Sequence, residues 1–189
     1  FTADSNMKTD SGSSGELKLD YANAEGNYGK LNVTLGRIAY TTDVDDAMVF
    51  DNYLSGGMVK FGNVVKAKIA AGRMSKFSDS DVAANYQGIE LQYAKNNWMA
   101  GAAYYRLKTD SFKSLLKDNA STMNIWAANL GYRFDQNVQL AGSYAHNNKI
   151  DDHKYKKSYQ FGLDYKGAQS EDKGSWGAYV SYRYLGAAS

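Results

Sequence analysis

Apolar and polar side chains alternate with a period of two, in segments of about ten residues, through most of this chain. Leu17, Leu19 and Tyr21 alternate with Lys18 and Asp20, and Leu31, Val33 and Leu35 with Asn32 and Thr34. Val65, Ala67 and Ile69 alternate with Lys66 and Lys68, then Ile89, Leu91 and Tyr93 with Glu90 and Gln92. The pattern returns in 126–132, 138–144, 159–165 and 176–184, with a shorter segment at 57–61. Segment 98–108 carries small or aromatic residues at both parities, so its faces stay unassigned. Successive side chains of a strand point to opposite faces, so the pattern predicts an all-β chain of about ten antiparallel strands. Proline usage agrees. Ordinary usage predicts roughly nine prolines in a chain of this length, and there are none among 189 residues, alongside 16 tyrosines. Proline cannot donate to a ladder, and tyrosine suits a half-buried pleated surface.

The connections alternate too. Those at 26–29, 62–63, 95–97 and 135–137 are short, whereas 41–56, 74–84 and 109–121 are long and 147–154 is of medium length. Only 166–174 is a longer turn on the trimmed side. One rim of the sheet is therefore trimmed and the other elaborated, as in outer-membrane barrels with short periplasmic turns and long extracellular loops. A soluble barrel with an apolar core alternates in the same way, so the period leaves both arrangements open. Three features favour the membrane. The segments are longer than the usual soluble strand of about 5 to 6 residues. Aromatic residues gather toward segment ends, as at Tyr21, Tyr93, Trp98, Tyr132, Tyr144, Tyr165, Trp176 and Tyr184, where an interfacial girdle belongs. Lysine, arginine, glutamate and glutamine populate the other face, which suits a wet lumen. The expected fold is a transmembrane up-and-down β-barrel over 16–185 after a flexible polar lead at 1–15. The first and last segments read as belonging to a larger barrel, and any signal peptide is expected upstream of Phe1.

Composition narrows the function classes. The chain has no cysteine and two histidines, which excludes thiol chemistry, thiolate zinc sites and multi-histidine metal sites; no cofactor is expected. Lys and Arg number 22 against 20 Asp and Glu, and this balance offers no field for nucleic acid. The longest apolar run, at 98–105, falls well short of the roughly 20 residues of a spanning helix.

The stretch Thr34, Leu35, Gly36, Arg37, Ile38, Ala39, Tyr40, continued by Val49, Phe50, Asp51, Asn52, Tyr53, Gly56 and Gly57, resembles a recurring segment of bacterial porins. In that family a strand ending in Leu-Gly-Arg precedes a long loop that folds inward and narrows the pore. Tyr159, Gln160, Phe161, Gly162, Leu163, Asp164 and Tyr165, with Gly174 to Tyr179, resemble strand pairs of the OmpM-type porins that carry an S-layer-homology stalk. These residues contain no counterpart of the stalk, which tethers the outer membrane to peptidoglycan, so tethering is not assigned to them. The chain also stops at Leu185, Gly186, Ala187, Ala188 and Ser189, where porins close on an aromatic.

The resemblance implies a constriction built from Asp43, Asp45, Asp46 and Asp51 facing Arg37 and its basic neighbours, the alternative being a solvated acidic loop. Arg37 shares parity with Leu35, and a charge near the bilayer midplane costs roughly 2 to 4 kcal/mol, so a bulge at Gly36 is expected to turn it inward. By alternation Lys18, Lys66, Lys68, Glu90, Arg133 and Arg183 line the lumen together with Glu16, Asp20 and Asp164. Ile69, Leu91, Leu130, Phe161 and Val180 face lipid. Asp151, Asp152 and His153, with His146, lie on one loop and lack the carboxylates converging from separate strands that a protease needs, so no enzyme activity is expected. Phe112, Leu115 and Leu116 have the spacing of a short loop helix.

The expected function is an outer-membrane diffusion porin passing ions and small hydrophilic solutes. Its partners are the bilayer and those solutes, with a homotrimer as the candidate assembly. The alternative is a small barrel acting as adhesin or anchor with a plugged lumen.

Overall fold

The computed structural model describes residues 22–74, 84–110, 113, 120–148, 156–165 and 176–186. Ten antiparallel strands form one up-and-down sheet in chain order: β1 (Ala22–Tyr28), β2 (Leu31–Thr41), β3 (Asp51–Gly62), β4 (Val65–Met74), β5 (Asn85–Lys95), β6 (Trp98–Lys108), β7 (Thr122–Arg133), β8 (Val138–Asn147), β9 (Lys157–Tyr165) and β10 (Ala178–Tyr184). Three boundaries differ from the sequence reading. The first turn is Gly29 and Lys30 rather than 26–29, because Glu25, Gly26 and Asn27 pair with Thr34, Val33 and Asn32. The loop expected over 41–56 is only 42–50. Asp51 to Gly56 belong to β3, which runs to twelve residues where a short strand was expected. Strand β10 begins at Ala178 rather than Trp176. The first expected segment, with Glu16, Lys18 and Asp20, lies outside the described residues, as do Phe112, Leu115, Leu116, Asp151, Asp152 and His153.

The sheet curls around the loop between β2 and β3. Flat, β4 and β10 would stand six strand spacings apart, about 29 Å at 4.8 Å each. Yet Asp43 reaches Lys68 on β4 at 2.7 Å and Asp46 reaches Arg183 on β10 at 3.6 Å. The three residues of chain between them span at most about 11 Å, and the same loop also meets Glu90 on β5, Tyr105 on β6 and Gln160 on β9. Only a curled sheet brings both strands to one loop.

Curling gives the faces different chemistry. The concave face buries Tyr40, Leu54, Met58, Met74, Tyr86, Glu90, Tyr105 and Ile125. The convex face leaves large apolar side chains open: Leu35, Ile69, Leu91, Trp98, Trp126, Leu130, Phe161 and Val180 are 42–73% exposed. Strand β6 is now resolved, with Trp98, Ala100, Ala102 and Tyr104 outward beside Tyr132, Leu130, Ala128 and Trp126, and Tyr105 buried inside. Toward the long-loop rim the outer face turns polar. The border lies at Arg37, Ser55 and Arg73 on β2–β4, one pair of residues lower at Gln87, Arg106 and Asn124 on β5–β7, and one pair lower again at His146 and Lys157 on β8–β9. A border that slips by about 7 Å along the strand for every three strands crossed stays level only if the strands tilt, as in a barrel wall.

Candidate functional site

Loop 42–50 has the sequence Thr-Asp-Val-Asp-Asp-Ala-Met-Val-Phe, and two kinds of interaction draw it into the concavity. The first is apolar. Val44, Met48 and Phe50 are at most 6% exposed, and Val44 and Phe50 pack into the cluster of Leu54, Met58, Tyr86, Tyr105 and Ile125. Full burial of such a side chain is worth about 1.5–3 kcal/mol, so three of them offset much of the entropy lost in ordering a loop. The second is local closure. The Thr42 and Phe50 main chains bond at 2.9 Å, the Phe50 amide donates to the Thr42 hydroxyl at 3.2 Å, and the Ala47 amide reaches the Thr42 carbonyl at 2.9 Å. Asp46 and Ala47 take positive φ at the tip, 54° and 60°, which turns the chain back within a short span.

A charged clamp fastens this loop to β4 and β5. Glu90 is 1% exposed, and both its oxygens are used. Oε1 accepts from the Tyr40 hydroxyl at 3.1 Å and from Lys68 Nζ at 2.8 Å, while Oε2 accepts from the amides of Asp43 at 2.7 Å and Val44 at 3.0 Å. Lys68 spends its three protons on Glu90, on Asp43 at 2.7 Å and on the Thr41 carbonyl at 2.7 Å, and its ammonium lies 4.9 Å from the Tyr40 ring centre. The Tyr40 and Tyr86 hydroxyls stand 2.9 Å apart. Among the described residues no buried side-chain polar atom lacks a partner, the condition under which buried charges are tolerated.

Asp45 forms a second anchor. It is fully buried, accepting from the Thr42 hydroxyl at 3.0 Å, the Val49 amide at 2.5 Å and the Tyr105 hydroxyl at 3.0 Å. Burial pushes its carboxyl up to about 6, against the downward pull of those hydrogen bonds. Across the concavity, Asp46 accepts from Gln160 Nε2, which with Arg183 completes a bridge to β9 and β10. The loop tip thereby separates two recesses. One, about 330 Å³, is bordered by Lys30, Lys60, Lys66, Asn32 and Gln92; the other, about 410 Å³, by Asp43, Asp46, Gln139, Ser143, Gln160 and Asp164.

Several expected site residues stand elsewhere. Arg37 does not meet the acidic loop. Gly36 has a φ of 125°, yet the ladder passes through it unbroken and no bulge turns the next side chain inward. Arg37 stays outward, its guanidinium 5.2 Å from the Tyr53 ring centre, and the cost of a charge at mid-bilayer does not arise because its row lies at the polar rim. Asp51 lies at the start of β3, where Thr41 donates to it at 2.7 Å, and it does not join the loop. Lys68 and Glu90 face inward but sit under the loop, not on an open wall. Lys66 is exposed on the inner side, and Arg133 ends β7 there, donating to Gln139 at 3.4 Å. Tyr40, Tyr86, Tyr105 and Thr42 were not anticipated. Their tyrosines look like girdle residues in sequence, and only inward parity on their strands separates them from that class.

No protein-family model matches the chain, and neither does any curated protein. Among solved structures the chain is similar to Salmonella typhi OmpF in complex with daunomycin, at 15% identity and a TM-score of 0.46. The match covers 82% of this chain and 52% of that one, so the chain spans about half the length of the structure it matches.

Proposed function

We propose that the chain forms wall and constriction of an outer-membrane diffusion porin, passing ions and small hydrophilic solutes through a water-filled lumen without a chemical step. One observation carries this reading: the sheet has its apolar surface on the outside and its ion pairs on the inside. In water an exposed apolar band of this extent is a liability, whereas in a bilayer it is the required surface, rimmed by aromatic rings and by charge. Loop 42–50 fills the β2–β7 side of the concavity, so permeation is assigned to the β7–β10 side, past Asp43, Asp46, Gln160, Asp164 and Arg183. Lys66 and Arg133 line the remaining inner wall, and a homotrimer stays the candidate assembly.

The packed β2–β7 half favours a second reading, a plugged barrel that acts as an anchor or adhesin. Conductance separates the two. The full chain reconstituted into planar bilayers is expected to give discrete current steps. Insertion without current, with the protein demonstrably folded, would sink the porin reading in favour of the plugged barrel.

A further inference from the structure

On the short-turn side of loop 42–50, the recess of about 330 Å³ gathers lysines from neighbouring strands. Lys60 on β3 stands directly opposite Lys68 on β4, and Lys66, two residues back along β4, pairs with Gly62. Lys30 lies on the other side of Gly62, one residue beyond the pair Leu31 and Phe61. Diagonal neighbours in a sheet are about 7–8 Å apart, within reach of long side chains. Gly62 has no side chain, so the exposed ammonium groups of Lys30, Lys60 and Lys66 surround a gap.

The fold makes no use of these three charges. Like charges directly opposite on a sheet destabilise it, and the carboxylates within reach are engaged elsewhere. Asp43 and Glu90 bind Lys68, and Glu25 on β1 accepts from Asn27 and Asn32. Among the described residues no carboxylate pairs with Lys30, Lys60 or Lys66. The border of the recess therefore carries four ammonium groups, counting Lys68, against the two carboxylates of Asp43 and Glu90, an excess of two positive charges. Gln92, opposite Lys66, adds a neutral amide donor. Loop 42–50 bounds the recess, which lies off the permeation path assigned to β7–β10.

We propose that this recess binds one small divalent phosphoryl anion, with Lys30, Lys60 and Lys66 donating to its oxygens. Ammonium groups converging from three sides match the three free oxygens of a phosphate monoester, where a carboxylate offers only two in one plane. Lysine serves such a group as a point charge, and a recess of this size admits a small solute. The site goes beyond the permeation reading, since it needs only the inner-face lysines and is the same in an open or a plugged barrel.

The full chain, folded in a neutral detergent, is titrated at pH 8 with methyl phosphate or with malonate at one ionic strength set by sodium chloride. Both anions are divalent at that pH, and lysine keeps its proton. Calorimetry reads binding, and heat-modifiable gel mobility reports folding. Methyl phosphate is expected to bind once per chain and more tightly than malonate. Each of Lys60→Gln and Lys66→Gln should weaken it about fivefold, the upper effect of one exposed ionic contact. Lys95→Gln, at the same rim but with the outward parity of Tyr93 and Trp98, should leave binding unchanged. Without ligand, Lys60→Gln should melt no lower than the wild type, because it removes a repulsion from Lys68, so its lost binding is not a lost fold. Equal binding of malonate, or no saturable binding by a folded chain, overturns the site. So does equal weakening by Lys95→Gln, since the anion then answers only to the overall charge of the rim. Conductance is scored separately, and its absence sinks the porin reading without touching this one.

Discussion

Lys68 and Glu90 stand directly opposite each other on β4 and β5, with Nζ 2.8 Å from Oε1, and the same two side chains hold the loop that closes over them. The pair therefore joins neighbouring strands and ties a long connection to the wall. Both side chains are at most 8% exposed, so neither charge can exchange its partner for water.

Glu90→Ala removes an acceptor for four donors and leaves the Lys68 ammonium with Asp43 and one carbonyl. Breaking a buried pair from one side costs about 3 kcal/mol or more. The thermal midpoint of the folded barrel should fall, and loop 42–50 should become cleavable by added protease. An unchanged midpoint together with an uncut loop would show that the clamp contributes nothing.

Asp45 makes the loop anchor sensitive to acid in a defined direction. Its carboxyl is raised from 3.8 to about 6 chiefly by burial, so between those values the folded chain keeps a proton that the unfolded chain has lost. The contribution of this site to stability is thus full below about pH 4 and declines as the pH rises through about 6. Asp45→Asn stays neutral and should flatten that slope. Unfolding midpoints of the two proteins at several pH values across the window check it, and parallel curves would refute the assignment.

Asp46 and Arg183 are half exposed, and their ion pair at 3.6 Å should matter little for stability, less than about 1 kcal/mol. Their expected importance lies in permeation. Asp46→Asn should shift the reversal potential of the reconstituted channel in a salt gradient toward anions, whereas Asp51→Asn, outside the loop, should leave it unmoved. The opposite ranking would take the loop tip out of the ion path.

The two faces can be read by labelling. With a membrane-impermeant thiol reagent, Lys66→Cys should react, Ile69→Cys should react only with a lipid-soluble reagent, and Lys68→Cys should be protected by the loop. Rapid labelling of Ile69→Cys from water would invert the assignment of the faces.

Gly56 and Gly72 face each other across β3 and β4, and a Cβ built on either would run into the opposing main chain, the Ala71 carbonyl for Gly56 and the Ser55 carbonyl for Gly72. Gly72→Ala should cost about 1–3 kcal/mol through the backbone shift it forces. Gly162→Ala, where a Cβ meets nothing within 4 Å, serves as the control and should be nearly neutral. Equal midpoints for the two variants would show that the close approach is relaxed without cost.

Strand number, order of faces and the trimmed and elaborated rims were legible in the sequence because each depends on neighbours along the chain. Ile69, Leu91, Leu130, Phe161 and Val180 share the outer face with the parity assigned to them, and even Arg37 follows its parity where a bulge had been expected to override it. The loop was legible in half. Its acids stand out in the sequence, but the buried Val44, Met48 and Phe50 between them are the side chains that pull it inward.

What the chain order could not supply was the set of contacts made when the sheet curls. Tyr86 and Tyr105 are neighbours on the paired strands β5 and β6, but Tyr40 on β2 meets Tyr86 only because the sheet bends around one loop, and Asp46 reaches Gln160 across 114 positions of sequence. Alternation of period two determines on which face a side chain lies. Curvature, set by twist, tilt and packing over all ten strands at once, decides what that face encloses, and so turned two apparent wall charges, Lys68 and Glu90, into a buried clamp.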